Sequence, residues 1–306
     1  MNNPRKSRII SGGFTLLELV IVLAILAALT TVAVRSLDGV EDQSRYDATR
    51  RSLDNIQAAV LGAANERDAD GSLLVTGFVA DLGRLPYAVG NDPTTQLQEL
   101  WRNPNNVQAF AIGAAPDDTA VILGTGWRGN YLRLSLSQSS LVDGWGQAYG
   151  LNTDGSGQVV TVTSSGATAS GYGPGLLMVN LGGSTGQPAN ASYATTVSGC
   201  VYQLDTTSGQ LKNPDPNNGP LMVCYFGPNP NTGGILELPA TVTVSSSATV
   251  TAYSVPATIG PRVLRAYQLP PGTPTTLTNL GLATLKIVPV RITLQAGGQV
   301  RDLVIR

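Results

Sequence analysis

The chain has 306 residues, of which 42% are hydrophobic and only 13% are charged, whereas an ordinary globular domain carries about 25% charged residues. Its 19 Lys and Arg residues against 20 Asp and Glu residues give a net charge of −1, so no global attraction to nucleic acid is expected. Histidine is absent. This absence excludes Ser-His and Cys-His nucleophilic catalysis and His-ligated metal sites, and with them most hydrolases, zinc enzymes and haem proteins.

The chain begins with a basic leader and a long apolar run. Residues 1–13 are polar and carry Arg5, Lys6 and Arg8 with no acid. The run 14–34 contains neither Pro nor Gly and has Glu18 as its only charge. As a helix this run would be about 31 Å long, which matches the hydrocarbon core of a bilayer. By the positive-inside rule the leader stays in the cytoplasm, so the sequence predicts a single-pass membrane helix with the remaining chain exported.

Two other interpretations of the apolar run stay open. A secretory signal peptide has an apolar core of only about 7–15 residues that ends in a small-residue cleavage site. A plain membrane anchor fits the length but leaves Glu18 unexplained. A carboxylate in a spanning helix costs about 2.5–3.5 kcal/mol and by default marks a functional site with a partner nearby.

The residues around Glu18 carry a family signature. The sequence Gly-Phe-Thr-Leu-Leu-Glu over 13–18, followed by the apolar run, closely resembles the signature of type IV pilins and type II secretion pseudopilins. The resemblance implies that a prepilin peptidase cuts between Gly13 and Phe14 and then N-methylates Phe14. It also implies that Glu18 pairs with the terminal amine of a neighbouring subunit during assembly. Within one helix the two groups lie about 6 Å apart along the axis, so a staggered neighbour would be needed to bring them together and lower the burial cost of both.

An amphipathic pattern predicts that the helix continues to residue 68. Apolar residues recur at intervals of three and four, which is typical of one helix face, at Leu37, Val40, Leu53, Ile56, Val60, Ala63 and Ala64. We expect Leu53, Ile56 and Val60 to pack against a sheet. The charges opposite, among them Arg45, Arg50 and Arg51, either form a solvated face or meet acids on neighbouring subunits. Many major type IV pilins have a Pro in this helix, but none occurs here between Pro4 and Pro86.

The remaining chain predicts strands. Residues 69–190 break into short apolar runs separated by Gly, Pro, Asn and Asp. The predicted fold class is α+β, with a long membrane-spanning helix packed on an antiparallel β-sheet and an additional C-terminal β-rich region. The predicted domains are a leader over 1–13, a transmembrane and amphipathic helix over 14–68, a pilin-like α+β domain over 69–190 and a β-rich domain over 191–306.

Two segments within 126–149 resemble the type II secretion major pseudopilin. Trp-Arg-Gly-Asn-Tyr-Leu over 127–132 resembles its Trp-x-Gly-Pro-Tyr-Leu, and Asp-Gly-Trp-Gly-Gln-Ala-Tyr over 143–149 resembles its Asp-Pro-Trp-Gly-Asn-Pro-Tyr. In that relative a later loop binds calcium, which prefers six to eight oxygens, several from carboxylates. Here Thr168 stands where an acid is expected, and Asp154 lies nearby in an Asp-Gly pair typical of a hairpin turn. Calcium therefore stays possible without assigned ligands, and no other cofactor is expected.

The two cysteines, Cys200 and Cys224, lie in the C-terminal part. An exported chain meets an oxidising compartment, so a disulfide between them is predicted. It would close a loop rich in Asn, Pro and Gly and stabilise the fold by about 3 kcal/mol. Free buried thiols are the alternative, and a metal site is disfavoured because the chain has two Cys and no His. The segment 235–306 alternates polar and apolar residues in about five predicted strands, as a small sandwich or extended sheet.

No catalytic constellation emerges, so the chain is predicted not to be an enzyme. The resemblance implies a prepilin-like structural subunit of a type II secretion pseudopilus or type IV pilus, located in the bacterial inner membrane with its C-terminal part periplasmic or extracellular. Its expected partners are the prepilin peptidase, other pilin or pseudopilin subunits and the inner membrane. One alternative is a minor pilin or adhesin whose C-terminal region binds a surface or a secreted substrate. Another is a simple anchored periplasmic protein.

Overall fold

A computed structural model describes residues 15–63, 67, 75–89, 95–103, 107–134, 140–171, 175–182, 193–241, 252–295 and 297–305. The leader, Gly13 and Phe14 therefore lie outside the described residues. The helices are α1 (Leu16–Leu61), α2 (Phe78–Leu82) and α3 (Gly166–Ala169), with 3-10 turns at Gln98–Leu100, Pro216–Asn218 and Leu277–Leu282. The strands are β1 (Ala111–Ala114), β2 (Ile122–Thr125), β3 (Gly150–Thr153), β4 (Val159–Ser164), β5 (Leu177–Asn180), β6 (Ala194–Leu204), β7 (Leu211–Lys212), β8 (Leu221–Pro228), β9 (Ile235–Thr241), β10 (Ala252–Thr258), β11 (Gly260–Gln268), β12 (Leu285–Lys286), β13 (Val290–Leu294), β14 (Gln299–Val300) and β15 (Leu303–Ile305).

The strands form four sheets within the described residues. β1 and β2 make a hairpin, and β3, β4 and β5 make a three-stranded antiparallel sheet in that order. A third sheet has the order β10-β6-β14, with β7 and β15 also paired to β6, and a fourth has the order β12-β11-β8-β9, with β13 paired to β11. The short strands β14 and β15 run parallel to β6.

The predicted α+β fold class is wrong, because the described structure is mostly β-sheet with few helices. The runs of β-branched and alternating residues in the middle and C-terminal regions form strands between Gly- and Pro-containing turns, as their composition favours. The domain boundaries stay a prediction, although Tyr193 and Ile259 from the C-terminal region contribute to the core around α1.

The predicted single-pass anchoring in the inner membrane is also corrected. In the part of the chain that the structure describes, no helix is long and apolar enough to cross a membrane.

The first core lies between α1 and the β3-β4-β5 sheet. Leu53, Ile56 and Val60 of α1 are buried there, as predicted, against α2 and the inner face of the sheet. Full burial of each such side chain is worth about 1.5–3 kcal/mol. The C-terminal half of α1 is therefore fixed to the rest of the molecule.

The other two cores lie on opposite faces of the β8–β11 sheet. Val223 and Tyr225 of β8 face the sheet built on β6, and together the two sheets form a sandwich. Met222, Cys224 and Phe226 alternate with them and face the β1–β2 hairpin and the 3-10 turn at Leu277–Leu282. Because both faces are covered, every residue of β8 is buried.

The predicted disulfide between Cys200 and Cys224 is not formed, since both residues are free cysteines. Cys200 lies on β6 between Gly199 and Val201, and Val201 faces the sandwich core, so the Cys200 side chain points to the outer face of its sheet. Cys224 points away from the same core on the other sheet. Packed sheets lie about 10 Å apart, whereas a disulfide needs Cβ atoms about 3.5–4.5 Å apart.

Candidate assembly site

The amino-terminal part of α1 exposes an unbroken apolar surface. Its large apolar side chains are between 47% and 83% exposed on all sides of the helix, namely Leu16, Leu17, Leu19, Val20, Ile21, Val22, Leu23, Ile25, Leu26, Leu29 and Val32. We call residues 16–32 the apolar segment. A contiguous apolar surface of this kind marks an interaction site rather than an ordinary surface.

Glu18 lies at the start of the apolar segment and closes a capping box. Thr15 is the N-cap, and its Oγ1 accepts a hydrogen bond from the Glu18 N–H at 3.2 Å. The Glu18 carboxylate in turn accepts from the Thr15 N–H at 3.3 Å and from the Thr15 hydroxyl at 3.4 Å. Two of the unpaired donors at the helix start are thereby satisfied, and the negative charge lies where the helix dipole favours it. Sequence reasoning singled out Glu18 for assembly but missed this capping role, which the Thr-x-x-Glu spacing signals.

The loop over 143–149 links α1 to the β3-β4-β5 sheet. The N–H of Gly144 donates to Thr49 Oγ1 at 2.8 Å, and a Cβ added to Gly144 would lie 2.2 Å from the Arg45 carbonyl oxygen. Buried Asp143 holds the loop by accepting from the N–H groups of Trp145 at 2.9 Å and Gln147 at 2.8 Å. Only a residue without a side chain lets the loop approach α1 this closely.

The segment over 127–132 contacts α2. Arg128 donates to both carboxylate oxygens of Asp81 at 2.9 Å, from Nε and from Nη2. The Tyr131 hydroxyl donates to Asp81 at 3.0 Å, and the Trp127 indole donates to the Glu99 carbonyl oxygen at 2.8 Å. Burial, followed by the neighbouring Asp81 charge, raises the pKa of Tyr131. This network positions the hairpin β1–β2 beside α2 and is structural.

The charges on the exposed face of α1 interact within the helix. Arg45 pairs with Glu41 at 2.5 Å, and the Arg51 Nε donates to the Asp47 carbonyl oxygen at 3.1 Å. Contacts of Arg45, Arg50 and Arg51 with acids of neighbouring subunits stay a prediction.

In the region considered for calcium, the carboxylates of Asp143 and Asp154 accept hydrogen bonds within the loops and turns. Asp154 accepts from the N–H groups of Ser156 at 2.9 Å and Gln158 at 2.8 Å, and Ser164 donates to Asp143 at 2.6 Å. Thr168 lies in the short helix α3. Among the described residues no group of three or more Asp, Glu or Cys residues is placed to hold a metal ion.

Comparisons with known proteins give no family. No family model matches the chain, and no curated protein matches it. Among solved structures, a leucine-rich repeat protein from Bacteroides thetaiotaomicron VPI-5482 aligns at 9% identity and a TM-score of 0.23. The alignment covers 38% of this chain and 12% of that one, and a likeness this weak carries no argument about fold or function.

Proposed function

We propose that the chain is a prepilin-like structural subunit of a pilus or pseudopilus. A prepilin peptidase processes it between Gly13 and Phe14, and the mature subunit polymerises through α1. The observation that carries the proposal is the exposed apolar segment, which continues into a helical half that is firmly packed on the β3-β4-β5 sheet. Helices of neighbouring copies would cover this surface and remove it from water, which is the dominant favourable term in association.

Glu18 would set the register between neighbouring copies. Its contacts with Thr15 are long, at 3.3 and 3.4 Å, and therefore weak. In a hydrogen bond from a terminal ammonium of another copy both groups would be charged. Such bonds are short, at about 2.7–2.9 Å, and they add the attraction of opposite charges. The capping box would hold the carboxylate in place until this stronger partner arrives.

Processing is tested by producing the chain with and without an active prepilin peptidase. Intact mass and amino-terminal sequencing should show loss of residues 1–13 and one added methyl group on Phe14. Gly13→Val, which places a branched side chain at the cleavage site, should leave the precursor intact. A product that begins at Met1 in the presence of active peptidase would refute the proposal.

The assembly role of Glu18 is separated from its capping role by two matched variants. Glu18→Gln removes the charge but keeps an amide oxygen that accepts from Thr15, whereas Thr15→Ala removes the cap and keeps the charge. Electron microscopy and sedimentation of the assembled material should show few or no polymers for Glu18→Gln and near-normal polymers for Thr15→Ala. The reverse order would mean that Glu18 acts only as a helix cap.

A further inference from the structure

A groove lies between the β1–β2 hairpin and the edge of the β11–β13 ladder. It encloses about 360 Å³. Its apolar lining includes Phe110, Ile112, Ile122 and Ile292, of which Ile112 is 73% and Ile122 46% exposed. The groove is separate from α1, so a ligand bound there would not depend on the proposed assembly function.

The apolar wall of the groove is built in advance of any ligand. The Phe110 ring lies against Gly124, where an added Cβ would come within 2.6 Å of the ring. The Arg128 guanidinium lies 3.9 Å from the centre of the same ring. Buried Asp81 fixes that guanidinium through two hydrogen bonds of 2.9 Å. A site with its aromatic ring and its cation already held in place loses little entropy on binding.

Arg262 places a buried positive charge at the groove. Its guanidinium is fully buried and donates to uncharged oxygens, among them those of Thr258, Ile259, Pro261 and Ala80. Burial lowers its pKa. These hydrogen bonds use all five N–H donors of the guanidinium, and the nearby Asp81 charge favours its charged form. Arg262 therefore supports the wall of the groove and has no donor left for a ligand.

The lining of the groove carries an excess of positive charge. Arg291 is exposed on β13, and the described part of the chain offers its guanidinium no acceptor within hydrogen-bonding distance. The one acid of the lining, Asp81, already gives both oxygens to Arg128. The groove therefore has an apolar floor, one exposed arginine without an acceptor among the described residues, and three arginines against one acid in its lining.

We propose that this groove binds a peptide segment of a partner protein in which large apolar side chains alternate with carboxylates. The apolar side chains would cover Ile112, Ile122 and Phe110, while the carboxylates would meet Arg291 at the edge of the groove. The volume is at the small end of the range for ligand sites, which suits the side chains of a short peptide better than a long acyl chain.

The test uses the full chain and two capped pentapeptides, Glu-Phe-Asp-Leu-Glu and its neutral counterpart Gln-Phe-Asn-Leu-Gln, in titration calorimetry. The acidic peptide should bind about two- to fivefold more tightly than the neutral one, as expected for a partly exposed charge pair, and added salt should weaken its binding. Equal affinity of the two peptides would overturn the proposal. If dodecanoate displaces the acidic peptide and binds more tightly than it does, the proposal is also overturned, in favour of a lipid-like ligand.

Two variants locate the binding. Ile112→Glu places a carboxylate in the groove and should reduce affinity more than tenfold, while Arg291→Gln should reduce it about two- to fivefold, as for a partly exposed pair. Arg301→Gln removes an exposed arginine elsewhere and should leave the affinity unchanged, and circular dichroism checks that all three variants fold. Unchanged binding by Ile112→Glu would overturn the proposal. Peptide-free dimers that Ile112→Glu converts to monomers would show instead that a second copy occupies the groove.

Discussion

At the scale of single residues, Gly144 decides how closely the sheet approaches α1. In the sequence, Gly144 is visible only as a glycine that stands where the pseudopilin segment to which 143–149 was compared has a proline. In the structure the residue lies against the α1 backbone, and its N–H donates to Thr49. The sequence does not show that this glycine contacts α1, because Gly144 and Thr49 are 95 residues apart in the chain.

Gly144→Ala should destabilise the fold by about 1–3 kcal/mol, the usual cost of forcing extra atoms into a packed contact. The added Cβ would lie 2.2 Å from the Arg45 carbonyl oxygen, so the loop must move away from α1. The measurement is urea unfolding of the purified chain. Gly155→Ala is the matched control, because an added Cβ there meets nothing within 4 Å, and it should change stability by less than about 0.5 kcal/mol. Equal stability of the two variants would contradict the contact.

Glu237 is a second residue whose role depends on the fold. It is buried on β9, and its Oε1 accepts from the Asp117 N–H at 3.1 Å. Burial first, and then the nearby charges of Asp117 and Asp118, raise its pKa above the usual value. Asp118 itself is paired with Arg265 and accepts from the Tyr267 hydroxyl. The buried thiol of Cys224 is a further neighbour.

Because the pKa of Glu237 is higher in the folded than in the unfolded chain, the folded state binds its proton more tightly. Its contribution to stability is therefore present below the ordinary pKa of a Glu side chain, about 4.3, and is lost as pH rises through the folded pKa. Chemical unfolding between pH 4 and pH 8 should show a smaller fall in stability with rising pH for Glu237→Gln than for the parent chain. Identical pH profiles would show that Glu237 ionises normally in the fold.

At the scale of elements, hydrophobic periodicity predicted which face of α1 is buried but not at which residue the burial begins. Leu53, Ile56 and Val60 are buried as expected, whereas Val40 on the same predicted face is exposed. Among the described residues, the loop at Gly144 contacts α1 at Arg45 and Thr49, beyond Val40. Hydrophobic periodicity indicates which face of a helix is apolar. How much of that face is buried depends on how far the neighbouring sheet extends along the helix.

A buried ion pair joins two further elements. Arg84 follows α2 and donates to both oxygens of Glu99 in the 3-10 turn at Gln98–Leu100, at 2.6 and 2.8 Å. Both side chains are almost fully buried, and Glu99 also accepts from the Tyr87 N–H at 2.9 Å. Nothing in the sequence distinguished these two residues from exposed charges.

Glu99→Gln should destabilise the fold by about 3–5 kcal/mol, because it leaves the Arg84 charge buried without its counter-ion. The exposed pair of Arg45 and Glu41 provides the comparison, and Glu41→Gln should cost no more than about 1 kcal/mol. Both values come from denaturant unfolding under the same conditions. A cost for Glu99→Gln as small as that for Glu41→Gln would mean that the buried pair is not formed.

At the scale of the whole molecule, sequence patterns predicted strands in the C-terminal region but not their arrangement. Within the alternating segment 235–306, the described strands include β11, β12 and β13. The pairing of β6 with β10, β14 and β15 joins residues far apart in the chain, and no local signal encodes it. This arrangement also places the two cysteines on different sheets with their side chains pointing away from the shared core. The predicted disulfide was therefore wrong.

Two free thiols are therefore expected in the purified protein. Intact mass should equal that of the fully reduced chain without added reductant, and reductant should leave the unfolding midpoint unchanged. In the native state Cys224 should resist alkylation, because it is buried and its pKa is raised by that burial. A mass lower by two hydrogens, together with destabilisation by reductant, would show that the disulfide forms.

The proposed polymer depends on copies of α1 packing against one another through the apolar segment. The most direct measurement places a photoreactive benzophenone side chain at Leu23 in assembled material, with the same group at exposed Val288 as the control. Mass spectrometry of the cross-linked peptides should join position 23 of one copy to residues 14–34 of another, with no such product from position 288. Cross-links from position 23 that stay within one copy, or that reach only the β-sheet region of a neighbour, would contradict the proposed assembly.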